Sequence, residues 1–225
     1  MKKIIALAFI LAITYCSFAQ SLNVLSEYKS NDVPEIFSVN SITYYGWDFR
    51  KTLLNDRNFL DEIRISSRIL SEWVRDLEGN NFNRNRIESI FKKKDYSYDG
   101  LTVQKLNKNL SDDNLLDMDR NSINIDTIKN IVKDYEIEGE GLGLIFIGVE
   151  VSKEKLLSIA YATIFDKSSK EVIYACKIGG SAGKSYGLVK YYGIGFADVM
   201  KQFNLVIYNL KEQVRSFEKQ KKSVK

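Results

Sequence analysis

The sequence predicts an α+β fold with a mainly antiparallel sheet that helices cover, including one long C-terminal helix. Residues 142–151, LGLIFIGVEV, are apolar almost throughout, which is typical of a central strand buried on both faces. Two further strands are predicted at 156–165 and 172–178, and the polar turn DKSSK between them favours a hairpin. The three strands therefore predict a three-strand meander over 142–178. Apolar residues at helical spacing predict the long helix at 191–217.

The other elements are predicted from local periodicity and composition. β-Branched and aromatic residues favour strands, whereas apolar residues three or four positions apart favour helices. These rules predict, in chain order, a strand at 37–49, a helix at 59–77, a helical turn at 87–91, a strand at 96–106 and a short helix at 126–135. Asp126 can cap the last of these helices.

The first nineteen residues have the layout of a secretory signal peptide. Two lysines precede a short apolar run, and Ser17-Phe18-Ala19 places small residues before a cleavage site. Cleavage there predicts a periplasmic or extracellular protein with no transmembrane segment in the mature chain. Cys16 offers lipidation as an alternative, which Tyr15 disfavours because that position normally holds a very small residue. We divide the chain into a signal peptide at 1–19, a lead-in segment at 20–36, a single domain at 37–217 and a solvated basic tail at 218–225.

Composition excludes several kinds of chemistry. The 225 residues include no histidine and two cysteines, of which cleavage would leave Cys176 alone. The mature chain could then form no internal disulfide, and zinc sites and catalysis that depend on histidine are excluded. The net charge of +4 is small, and its Lys and Arg residues are spread along the chain, so nucleic acid is not an expected partner. We expect no cofactor and no metal.

A serine motif invites a catalytic interpretation. Residues 179–183, GGSAG, match the G-x-S-x-G pattern of a nucleophile elbow around Ser181. That serine lacks a histidine base, which leaves a Ser–Lys pair with Lys184 or Lys190 as the remaining possibility. The GKS sequence that follows resembles the end of a phosphate loop, but Ile178 stands where its first glycine belongs. We interpret the stretch as a flexible turn between strand and helix.

Acidic residues suggest two further sites. The stretch DMDRN at 117–121 begins like a calcium loop, but Ser122 and Ile128 stand where that loop needs glycine and glutamate. A looser calcium site with Asp112 and Asp113 stays open. Separately, Asp48 could face the glutamates of the segment 136–140 across a cleft, as in a glycosidase. That group comprises Glu136, Glu138 and Glu140.

Aromatic and basic residues occur together at two places, which we take as a candidate binding surface. If exposed, such side chains could stack on a sugar or contact a partner protein, and otherwise they belong to the core. The first group is Tyr44, Trp47, Asp48 and Arg50, and the second is Lys190, Tyr191 and Tyr192. No catalytic, cofactor-binding or metal-binding residue is assigned.

The order of predicted elements over residues 37–217 resembles small α+β domains of bacterial envelopes. These include the N-terminal domain of TolB and the activator lipoproteins of penicillin-binding proteins. The phrases YGWDFRK, EGEGLGLIFIGVEVSK, IFDKSSKEVIYA and GFADVMKQF are similar to secreted proteins of the Bacteroidetes to which no function is assigned. The resemblance implies a fold and an envelope location, and it implies no catalytic residue.

We therefore expect a secreted or periplasmic, non-enzymatic protein that binds another envelope component, either a protein or a glycan. The alternative is a hydrolase of envelope polysaccharide or peptide that uses carboxylates or a Ser–Lys pair.

Overall fold

A computed structural model describes residues 22–55, 72–77, 81–108, 110, 123–152, 154–182 and 188–223. Their centre is one seven-stranded mixed sheet, flanked by helices. The strands are β1 (Val24–Lys29), β2 (Ser41–Asp48), β3 (Leu53–Leu54), β4 (Asp95–Tyr98), β5 (Leu142–Ser152), β6 (Leu157–Asp166) and β7 (Val172–Ser181). The helices are α1 (Glu35–Ser38), α2 (Asn81–Phe91), α3 (Leu101–Asn107), α4 (Ile125–Lys133) and α5 (Leu188–Ser223), and residues 72–77 are also helical.

The strand order is β1-β7-β6-β5-β2-β4, with β3 pairing to β5 off this path. β2 runs parallel to both β4 and β5, and β3 is also parallel to β5. β5 with β6, β6 with β7 and β1 with β7 are antiparallel. The prediction of a mainly antiparallel sheet is therefore wrong. Helices lie in the connections from β2 to β4 and from β4 to β5, and such crossovers join parallel strands.

Residues 142–181 supply the strands predicted for this part of the chain, but they do not stand as a separate three-strand meander. β5, β6 and β7 form the middle of the larger mixed sheet, with β2 beyond β5 and β1 beyond β7. The turn between β6 and β7 falls at 167–169, as the DKSSK sequence predicts. Its Asp166 accepts hydrogen bonds from the hydroxyls of Ser168 and Ser169, at 2.6 and 2.9 Å.

Alternation along β5 divides the core between the two faces of the sheet. Leu144 and Phe146 lie on the face that α5 covers, and Ile145 and Ile147 lie on the face that α4 covers. This division follows from the alternation of side chains along a strand, and it agrees with the prediction of a central strand buried on both faces. Side chains of α5 complete the first face, namely Phe196, Val199, Met200, Phe203, Val206, Ile207 and Leu210.

Two glycines bring α5 unusually close to the sheet. A Cβ atom on Gly180 in β7 would lie 1.9 Å from the carbonyl oxygen of Gly195 in α5. A Cβ on Gly195 would in turn lie 2.4 Å from the Ser158 hydroxyl oxygen in β6. The helix backbone therefore rests directly on the strands here, because neither position has a side chain between them.

The structure differs from the sequence prediction at several element ends. The lead-in segment contributes β1, an edge strand whose mostly exposed residues give little apolar signal. The strand predicted at 96–106 ends at Tyr98, and α3 begins after Gly100. The Asp99 carboxylate accepts a hydrogen bond from the Thr102 hydroxyl at 2.7 Å, which stabilises this change from strand to helix. The predicted signal peptide, the acidic stretch at 111–122 and most of the helix predicted at 59–77 lie outside the described residues.

Candidate functional site

The aromatic residues of the first candidate group belong to the core. Tyr44 and Trp47 on β2 have no exposed side-chain surface. The Trp47 ring stacks on Phe146 with centroids 4.8 Å apart and on Phe49 with centroids 5.7 Å apart. Neither side chain is on the surface in this structure, so the condition for stacking on a sugar is not met by Tyr44 or Trp47.

Asp48, at the end of β2, is the centre of a buried polar cluster. Its carboxylate is fully buried and accepts hydrogen bonds from the Arg50 guanidinium, at 2.8 Å from Nη2 and 3.1 Å from Nε to Oδ2. The Tyr135 hydroxyl donates to the same Oδ2 at 2.6 Å, and the Arg50 backbone N–H donates to Oδ1 at 2.9 Å. The cluster thus joins the end of β2 to Tyr135, which is the second residue after the end of α4.

The Arg50 guanidinium forms an ion pair with Asp48 in this cluster, with 2.8 Å between Nη2 and Oδ2. The Arg50 guanidinium also lies over the Tyr135 ring, 5.4 Å from its centroid. Burial and the adjacent Asp48 carboxylate raise the pKa of Tyr135 well above its usual value, so the phenol stays a hydrogen-bond donor. Because both oxygens of Asp48 accept hydrogen bonds already, this carboxylate is suited to holding elements together.

Asn107 extends the cluster to α3. Its side chain accepts a hydrogen bond from the Phe49 N–H at 2.9 Å and donates one to the Trp47 carbonyl at 2.7 Å. The backbone on both sides of Asp48 is thereby paired where β2 leaves the sheet. Sequence reasoning missed Asn107 and Tyr135, because each lies far along the chain from Asp48 and no local pattern links them.

The other predicted residues are exposed, have only their backbone described, or lie outside the described residues. Glu136, Glu138 and Glu140 are exposed, whereas Asp48 is buried. Residues 190–192 lie near the start of α5, where only the backbone is described. Asp112, Asp113 and Lys184 fall outside the described residues.

Ser181 is the last residue of β7, so the glycines before it lie in a strand and not in a flexible turn. The structure gives them a packing role, since Gly180 admits the backbone of α5. The Ser181 N–H donates to Asp198 Oδ2 at 3.1 Å, and the Gln202 amide donates to the Gly179 carbonyl at 2.9 Å. Helix–strand packing thus explains Gly180, which occupies the first variable position of the G-x-S-x-G match, whereas the last glycine of the match, Gly183, lies outside the described residues.

Cys176 is buried in β7, and its burial raises the pKa of the thiol to about 12. It therefore remains a neutral thiol at physiological pH. Within the described ranges, no group of three or more Cys, Asp or Glu side chains is placed to hold a metal ion.

A surface that sequence reasoning missed lies at the end of α5. We define residues 211–223 as the α5 extension. All seven residues from 215 to 221 are exposed, so this part of the helix lies beyond the core on every side. Phe217 continues the apolar stripe of Phe203, Leu210 and Val214 but is 57% exposed. The absence of Gly and Pro from 211–223 is the signal that could have predicted a longer helix.

Comparisons with known proteins place this chain in no family. No family model matches it, and neither a curated protein nor a solved structure is significantly similar. Among the described residues, no helix is both long enough and apolar enough to cross a bilayer.

Proposed function

We propose that this protein is exported and that it binds another component of the bacterial envelope through the α5 extension, without catalysis. The signal-peptide layout of residues 1–19 supports export. The observation that carries the binding role is the exposure of every residue from 215 to 221 on a helix that the core holds in place. Phe217, which is 57% exposed, is the apolar side chain that this surface would offer to a partner.

The buried part of α5 is fixed to the sheet and holds the extension in place. Phe203 packs edge-on to Phe146 of the central strand, with ring centroids 5.4 Å apart. Gly180 and Gly195 allow the helix backbone to lie against β7. Because the buried part of α5 is fixed at these points, partner contact at the exposed part would lose little conformational freedom.

Crosslinking in living cells tests both parts of the proposal. The full chain, with its own leader, is produced in a bacterium with a photo-reactive amino acid at position 217. A matched variant has the same group at Leu101, which is 68% exposed on α3. We expect the protein in the periplasm or medium, with the mass of a chain beginning at Gln20, and an envelope adduct from position 217 alone. Cytoplasmic protein that retains Met1, or equal adducts from both positions, would contradict the proposal.

The alternative, a hydrolase with a Ser–Lys pair, makes a separate prediction. A serine nucleophile reacts with a fluorophosphonate probe, whereas a serine at the end of a packed strand does not. We expect peptide mapping to find Ser181 unmodified after incubation of the folded protein with such a probe. Stoichiometric labelling at Ser181 would favour the hydrolase.

A further inference from the structure

We propose that the α5 extension binds the anionic surface of a lipid bilayer, an inference that rests on the function proposed above. The extension carries an excess of positive charge. Residues 211–223 include five basic and two acidic side chains, which gives a net charge of 5 − 2 = +3. Over the same stretch the helix has an exposed aromatic ring at Phe217.

One lysine of the extension lies over its exposed aromatic ring. Lys221 lies one turn after Phe217, and its ammonium group is 4.7 Å from the ring centroid. Arg215 pairs with Glu212 at 2.8 Å, so the excess charge is that of Lys211, Lys219, Lys221 and Lys222 less the one negative charge of Glu218. A lysine beside an aromatic ring suits the boundary between headgroups and acyl chains, where the ring enters and the ammonium stays in water.

Size favours a lipid surface over a folded protein as the partner. The thirteen helical residues of the extension span ~20 Å, and a helix ~10 Å in diameter has a lateral surface of ~600 Å² over that length. A stable protein–protein interface needs roughly 800 Å² from each partner. Adsorption to an anionic bilayer has no such minimum, because each basic residue near the surface contributes by itself.

Vesicle co-sedimentation tests the inference. Purified protein is mixed with vesicles of phosphatidylglycerol or, separately, of phosphatidylcholine. We expect sedimentation with the anionic vesicles alone, and its loss when salt rises from about 0.05 M to about 0.5 M, since exposed charges are then screened.

Two matched charge reversals locate the binding surface. One variant combines Lys219→Glu with Lys221→Glu in the extension. The control combines Lys105→Glu on α3 with Lys201→Glu on α5, both exposed, and changes net charge by the same amount. Each basic residue near the membrane raises the partition coefficient onto anionic vesicles roughly fivefold. The first variant should therefore bind at least ~25-fold more weakly, and the affinity of the control should fall much less. Phe217→Ala should also weaken binding, with the thermal melt unchanged.

Equal binding to both kinds of vesicle, equal losses in the two charge variants, or no sedimentation would each overturn the lipid inference. Export and the crosslink from position 217 are measured independently. A protein or glycan adduct there without vesicle binding would therefore leave the proposed function standing and remove only the lipid as its partner.

Discussion

Individual side chains in the Asp48 cluster have unequal roles. Arg50 supplies the charge that balances a fully buried carboxylate, whereas Tyr135 supplies one neutral hydrogen bond to it. A buried charge without its partner destabilises a fold more than a lost neutral donor does. Substitution of Arg50 should therefore destabilise the fold more than substitution of Tyr135.

Arg50→Ala should lower the free energy of unfolding by about 3–5 kcal/mol, because Asp48 would stay buried without its counter-charge. Tyr135→Phe should lower it by about 1–3 kcal/mol. Urea denaturation measures both, with Lys51→Ala as an exposed neighbouring control that should change stability by less than about 0.5 kcal/mol. An Arg50→Ala protein as stable as its parent would mean that this ion pair is not a stabilising contact.

The Cys176 thiol should be unreactive in the folded protein. Burial raises its pKa to about 12, so at pH 8 roughly one thiol in ten thousand is ionised. Because the folded-state pKa is raised, the associated stability is complete below the unfolded pKa and is lost as pH rises from about 9 towards 12.

Ellman's reagent at pH 8, followed by peptide mapping, checks this. Cys176 should react rapidly in denaturant and negligibly without it. Rapid labelling of Cys176 in the native protein would show that β7 opens or that the thiol is accessible.

Among the secondary-structure elements, β7 and α5 are in close contact because Gly180 has no Cβ atom. Gly180→Ala would place a Cβ 1.9 Å from a backbone oxygen of α5, and a backbone atom cannot rotate away. We expect a loss of about 1–3 kcal/mol or more, as for other overpacked sites.

Gly193→Ala is the matched control within the helix. Its Cβ would meet Trp73 at 3.6 Å, an ordinary van der Waals distance. Alanine is also the better helix former, so this change should be neutral or stabilising by up to ~1 kcal/mol. Thermal melts compare the two, and a Gly180→Ala protein that melts at or above the parent temperature would rule out the close packing.

At the scale of the whole molecule, the stability of the fold depends on the core between α5 and the sheet. Phe203 is fully buried there, whereas Phe217 on the same helix is 57% exposed. Phe203→Ala should lower the free energy of unfolding by about 3–5 kcal/mol, because it leaves a cavity in a closed core.

Phe217→Ala removes the same atoms from an exposed site and should change stability by less than about 0.5 kcal/mol. Chemical denaturation of both variants measures the contrast. Similar losses for the two would mean that residue 217 is covered in solution and that α5 does not extend beyond the core.

The interior strands were predictable because their signal is local. Leu144 and Phe146 alternate with Ile145 and Ile147, and a strand directs alternate side chains to opposite faces whatever its neighbours are. The edge strand β1 was not predicted, since most of its residues are exposed and give no such alternation. For the candidate site, composition could select Trp47 and Asp48 but could not show that both are buried.

Local sequence determined the positions of the main strands, the two faces of β5 and the apolar stripe of α5, because periodicity is a property of neighbouring residues. Folding decided the direction in which β2 and β5 pair, the contact of Gly180 with α5 and the union of Asp48 with Tyr135, 87 residues apart. These features depend on which distant segments meet. The end of the core along α5 was decided in the same way: Phe217 has the spacing of a core residue, yet its side chain is exposed because the core ends before that turn of the helix.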